Sequence, residues 1–280
     1  MNTKDRKDLG RAKRILEHPR LMIRLLNIVG VPLEKAVDTL PKTVSGRINT
    51  LVRGALMKCM EIAIATLDNR KQFHPPKSKM HKRMVVVSGG VGGFWGLPGL
   101  AMELPLSTTV MFRSIADIAR SFGEDLSQPE TVLNCVQVFA LGGVTQKDDA
   151  AESSYFAVRA ALAKATNEAA RYLATQQATN LTAPALVRFT QGVASRFSVT
   201  VSEKVAVMGV PLVGAIGGAA INAVFMQHYQ EAAWAHFLVR SLERKYGPEA
   251  IRHAWDEEGR EVHYIATPPK PPALPAPGEK

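Results

Sequence analysis

The chain has 280 residues, enough for one large domain or two small ones with a sizeable core. Apolar residues make up 46% and aromatics only 6%, with alanine abundant, a balance that favours close helix packing over an aromatic-rich sandwich. The net charge of +10 belongs to the first third: residues 1–84 hold 19 Lys/Arg against 7 Asp/Glu, a balance of +12, and the remainder holds 16 against 18.

A basic segment of this kind attracts anionic lipid, nucleic acid or an acidic protein, and a solubilising helical surface has the same composition. The N-terminus, MNTKDRKDLGRAKR, has no apolar run of the secretory type. Cys59 and Cys135 sit in apolar contexts without CxxC spacing, as reduced buried thiols of a cytosolic protein do.

Residues 4–29 read as a basic amphipathic helix or helix pair broken near His18-Pro19, with Leu21, Met22, Leu25, Leu26 and Val29 at helical spacing. Pro32 opens a short helix that Pro41 stops. Thr43 or Ser45 is the expected cap of a long helix to about Asp68. Its apolar face carries Ile48, Leu51, Val52, Ala55, Leu56, Cys59, Ile62 and Ala63, and its opposite side Arg47, Arg53 and Lys58. Residues 73–83 form a loop by their paired prolines and charges.

The stretch from Met84 to Val110 has six glycines in its first sixteen residues and then a single acid, Glu103. Leu97–Phe122 reads as helix, ended by Gly123. Ser127 and Glu130 have capping-box spacing ahead of a helix over 128–141. Residues 147–177 and 183–199 read as two more helices, and Ser202 as the cap of the next. From Leu212 to Tyr246 the pattern is one long or kinked helix, stopped at Gly247-Pro248. A short helix over 249–258 precedes a tail with six prolines, which cannot bury a core.

Glycines 89, 90, 92, 93, 96 and 99 invite a phosphate-cradle reading. The dinucleotide pattern fails because Trp95 stands where its third glycine belongs, and no GxxxxGK[ST] is present. The four-residue spacing of Gly89/Gly93, Gly92/Gly96 and Gly214/Gly218 suits close approach of two helices instead. The seven histidines include no HxH, HExxH or HxxxD. His228 and His236 share one expected helix but lie about 12 Å apart along it, too far for one ion.

Polar residues inside apolar helices carry more information: Glu103, Arg113, Asp117, Asn222, His228, His236, Arg240 and Glu243. Buried charges need partners or a cavity. Arg113 and Asp117 are spaced to pair locally, as are Arg240 and Glu243. Glu103 and Asn222 have no such neighbour and are expected to meet other elements across the core. Structural ion pairing and a pocket for a lipid-like ligand both fit this set.

GGVGGFWGLPGLAMELPLSTTVMFRSIADIARSFGEDL, followed later by KVAVMGVPLVGAIGGAAINAVFMQHYQEAAWAHFLVRSLERKYG, resembles the bacterial EcsC protein family over roughly residues 85–247. Glu103 departs from the family, which more often carries Asp before Leu-Pro, but the carboxylate is kept. The resemblance implies an association with ABC transporter components, after the gene neighbourhood that names the family. It brings no established activity residue by residue. Some members carry a metallopeptidase-like label, whose HxH and HxxxD ligand patterns are absent here.

The expectation is an all-α protein with one helical domain over residues 1–265, comprising basic helices over 1–83 and a core over 84–265. Two central Gly-rich apolar helices pack closely within it, and residues 266–280 form a disordered tail. The leading functional expectation is a non-enzymatic accessory protein, cytoplasmic and peripheral on the inner face of the membrane. It would touch an anionic membrane surface, need no cofactor or metal, and be an improbable nucleic-acid binder for want of aromatics and motifs in its basic segment. The alternative is a hydrolase using Glu103 with His228 or His236, which requires these groups to converge in one cleft.

Overall fold

The computed structural model describes residues 1–17, 21, 24–25, 42–67, 96–141, 155–175, 180–208 and 214–266. These are helices joined by short turns, with no strand among the described residues. The helices are α1 (Thr3–Glu17), α2 (Lys42–Leu67), α3 (Gly96–Ser121), α4 (Pro129–Gln137, continued by a 3-10 turn Val138–Ala140), α5 (Tyr155–Ala174), α6 (Pro184–Met208), α7 (Gly214–Tyr246) and α8 (Pro248–Ala266). The expected short helix after Pro32, the loop over 73–83, Gly89, Gly90, Gly92 and Gly93, and the proline-rich tail from residue 267 lie outside the described residues.

The helices form because apolar residues recur at helical spacing, and the buried faces follow that periodicity. On α2, Ile48, Val52, Ala55, Leu56, Cys59 and Ala63 are fully buried, while Arg47, Arg53 and Lys58 are exposed. α2 packs along α3 and α6, α3 along α7, α7 along α1 and α8, and α5 along α6 and α4. Phe139, Phe197, Phe225 and Tyr229 interlock with ring centroids 4.9–6.2 Å apart and join the 3-10 turn to α6 and α7. Trp255 of α8 meets Tyr155 and Phe156 of α5 in the same way.

Two glycines end helices as expected. Gly123 (φ 79°) and Gly247 (φ 89°) take the left-handed conformation that a side chain resists. After α3 the turn closes as a Schellman motif, with Gly123 N–H donating to Arg120 O (2.9 Å) and Glu124 N–H to Ala119 O (3.2 Å). This geometry turns Glu124 inward.

Several boundary expectations are corrected. Thr43 and Ser45 lie inside α2, which starts at Lys42, so neither caps it. The Ser127–Glu130 box does not form: Gln128 precedes α4, and Asp125 organises the turn by accepting from Ser127 N–H (2.9 Å) and Ser127 Oγ (2.8 Å). Ser202 starts no new helix. It donates to Ser198 O (2.8 Å) inside α6, which runs on to Met208 because its apolar face continues through Val201 and Val207.

α3 and α7, the two helices that begin in glycine-rich sequence, do pack on one another. Three polar contacts fix their register in a parallel sense: Asn222 to Glu103, Gln230 to Ser114, and Arg240 to Glu124. Between α6 and α5 a glycine permits close approach: a Cβ on Gly192 would stand 2.7 Å from Leu162 Cδ2.

Candidate functional site

The innermost charges of the described core sit where α3, α6 and α7 meet. Lys204 Nζ of α6 lies 3.0 and 3.1 Å from the two carboxylate oxygens of Glu103 on α3. The Asn222 amide of α7 donates to Glu103 Oε1 at 3.1 Å. The side chains of Lys204 and Glu103 are 0% and 2% exposed, so the pair is removed from water. Lys204 also stands over the Phe225 ring, 4.9 Å from its centroid.

Helical spacing explains why three separate segments converge. Glu103 and Ser107 share the inward face of α3, and Lys204 continues the buried row Phe197, Val201 and Lys204 of α6. Beside Glu103, Pro105 lacks the N–H that would bond Ala101 O, and Ser107 and Thr108 hydroxyls donate to Leu104 O (3.2 and 2.6 Å). Burying two ions costs several kcal/mol each, and mutual attraction offsets this only with good geometry and added hydrogen bonds. The bidentate contact and the Asn222 amide supply both. All three side chains are buried, Glu103 at 4%, Lys204 at 0% and Asn222 at 1% exposure.

A second network lies farther along α7. Arg159 of α5 forks onto Glu243 (2.7 and 3.1 Å) and donates to the Tyr155 hydroxyl (3.3 Å). That hydroxyl is 2.9 Å from His236 Nδ1. The imidazole tautomer sets which of the two groups donates in that contact. Burial, reinforced by the Arg159 and Arg240 cations, drives the His236 pKa well below its ordinary value, so the ring is neutral. A third cluster closes the end of α3. Glu124 accepts from Arg240 Nε (3.0 Å) and from Arg244. Burial pushes the Glu124 carboxyl up, but Arg240 and then Arg244 outweigh it and hold it below the ordinary value.

The expected site residues are therefore divided. Glu103 and Asn222 meet across the core, with Lys204 as the partner the local pattern did not identify. Arg240 and Glu243 do not pair with each other; they go to Glu124 and Arg159, because their side chains are drawn to different neighbouring elements. Asp117 pairs with Arg120 (3.3 Å), and Arg113 is exposed. His228 is buried with its ring edge-on to Tyr229, centroids 5.0 Å apart. His236 is fourteen residues from Asn222, about 21 Å along α7, so Glu103 and His236 do not share a cleft. Among the described residues no three His, Cys, Asp or Glu side chains group to hold a metal ion.

The sequence pattern does not single out Lys204, Tyr155, Arg159 or Glu124. One signal existed for Lys204: a cation occupying an apolar position in the repeat Phe197, Val201, Lys204. Tyr155 and Arg159, four apart at the start of an alanine-rich helix, carry no such mark.

Residues 29–242 match the family model described as the EcsC protein family. The match includes Glu103, Lys204 and Asn222 and leaves out α1 and α8. No curated protein matches the chain, and no solved structure does. With a single family model covering most of its length and an all-helical architecture, the chain belongs to the EcsC protein family.

Proposed function

We propose that this protein is a non-enzymatic accessory protein peripheral to the cytosolic face of the membrane, held to anionic headgroups by the basic face of α1. The observation that carries the reading is the charge placement on that helix. Lys4, Lys7, Arg11 and Arg14 are exposed and fall within about 80° of the helix circumference. Leu9, Ala12 and Leu16 are buried on the opposite side, against α7 and α8. Arg11 is stacked over Trp234, 4.5 Å from the ring centroid, which leaves Lys4, Lys7 and Arg14 as the outward cations. Among the described residues no helix is long and apolar enough to cross a membrane, in keeping with surface attachment.

Family membership motivates the partner, components of an ABC transporter. A lipid-like ligand would have to reach a Glu103 already paired with buried Lys204, so attachment to the membrane surface is the part the geometry supports best.

Each basic residue near an anionic surface contributes about 1 kcal/mol. Vesicle flotation of the chain and of a Lys4→Gln/Lys7→Gln/Arg14→Gln variant tests this. The expected result is recovery with anionic vesicles and about a 150-fold weaker partition for the variant. Equal recovery with neutral and anionic vesicles refutes the electrostatic reading.

A further inference from the structure

Among the described residues the large apolar side chains left in water are few: Met1 at the terminus, Met102 at 82% exposure and Leu106 at 53%. Met102 and Leu106 are one turn apart on α3, with exposed Ala101 and partly buried Pro105 beside them. Thr109 and exposed Arg113 continue the same strip, and the four positions 102, 106, 109 and 113 lie within about 60° of one another around the helix. No outward-facing position from 101 to 113 carries a carboxylate. The inward side of the same turns holds Glu103 and Ser107.

We infer that this strip is a second membrane contact, in which Met102 and Leu106 enter the boundary between headgroups and acyl chains. The inference rests on the membrane attachment proposed above. Its pattern is that of an interfacial helix face: apolar at one end, free of acids, and closed by a long cationic side chain that reaches back to phosphate. The charge of the strip itself matches an anionic surface, since Arg113 is its one ionisable outward residue. A protein partner is the poorer occupant. The ridge offers at most a few hundred Å² of apolar surface, against the roughly 800 Å² per partner of a stable interface. A bilayer requires no matching shape.

The test uses the full chain with one added thiol. Cys59 and Cys135 are both buried, and burial pushes their thiol pKa values far up, so a Met102→Cys variant has one reactive cysteine. An environment-sensitive fluorophore is attached there, and at Glu249→Cys on the exposed start of α8 as a reference. Each is mixed with phosphatidylcholine vesicles with and without phosphatidylglycerol. The expected result is a blue shift at position 102 and none at 249 with anionic vesicles. A Met102→Gln/Leu106→Gln variant then partitions about 100-fold more weakly. Vesicle binding without a shift at 102 overturns the inference while leaving attachment through α1 intact. Absence of binding by every form overturns both. A shift that grows with protein concentration without vesicles assigns the ridge to a second copy of the chain and also overturns it.

Discussion

Replacing Lys204 by methionine removes one charge from the α3–α6–α7 junction and little else. The side chain stays unbranched and of similar length, and a thioether tolerates the Phe225 ring that the ammonium now overlies. Glu103, 2% exposed, would be left with the Asn222 amide in place of a two-point contact with a cation. Removing one partner of a buried pair costs about 3–5 kcal/mol, because the remaining charge has lost its compensation. For a chain of this size that is roughly a 6–10 °C fall in melting temperature. The second variant, Glu103→Gln/Lys204→Met, removes both charges and keeps a carbonyl to accept from Asn222. It is expected within about 2 kcal/mol of the original, with a coupling energy of at least about 1 kcal/mol between the two positions. Calorimetry and urea unfolding on the four forms of the cycle measure this. A loss below about 1 kcal/mol for Lys204→Met, or strictly additive losses, would refute the view that this pair is desolvated and mutually dependent.

Two other outcomes follow from the same physics. Burial alone pushes the Glu203 carboxyl up to about 7, above its value in the unfolded chain. The folded form therefore binds a proton that the unfolded form has released, and stability falls as pH rises from about 4.5 to 7. Glu203→Gln should flatten that slope and stabilise the protein at pH 8 by about 2 kcal/mol, read from urea midpoints across pH; an unchanged slope would count against it. Gly123→Ala places a side chain at a φ of 79° and should cost about 1–2 kcal/mol. Part of that loss should vanish in a Glu124→Gln background, since the turn serves to direct Glu124 to Arg240 and Arg244.

The contrast between α2 and α7 shows how far one-dimensional pattern reaches. On α2 the apolar residues alone foretell which side is buried, since burial needs only that a face be oily. On α7 the polar residues Asn222, His236, Arg240 and Glu243 were recognisable as inward, but not their partners. Arg240 and Glu243 have the spacing of a local pair and still part company, for Glu124 and Arg159.

What the amino-acid order by itself determined was the helical class, the stops at Gly123 and Gly247, the basic face of α1 and the inward Glu103. These depend on neighbours within one or two turns, which periodicity and backbone sterics encode directly. The tertiary structure alone decided that Glu103 meets Lys204 101 residues away, that Tyr155 serves His236, and that Met102 and Leu106 stay in water. Those outcomes depend on how helices rotate and cross, which is set by the packing of the whole core rather than by any one segment.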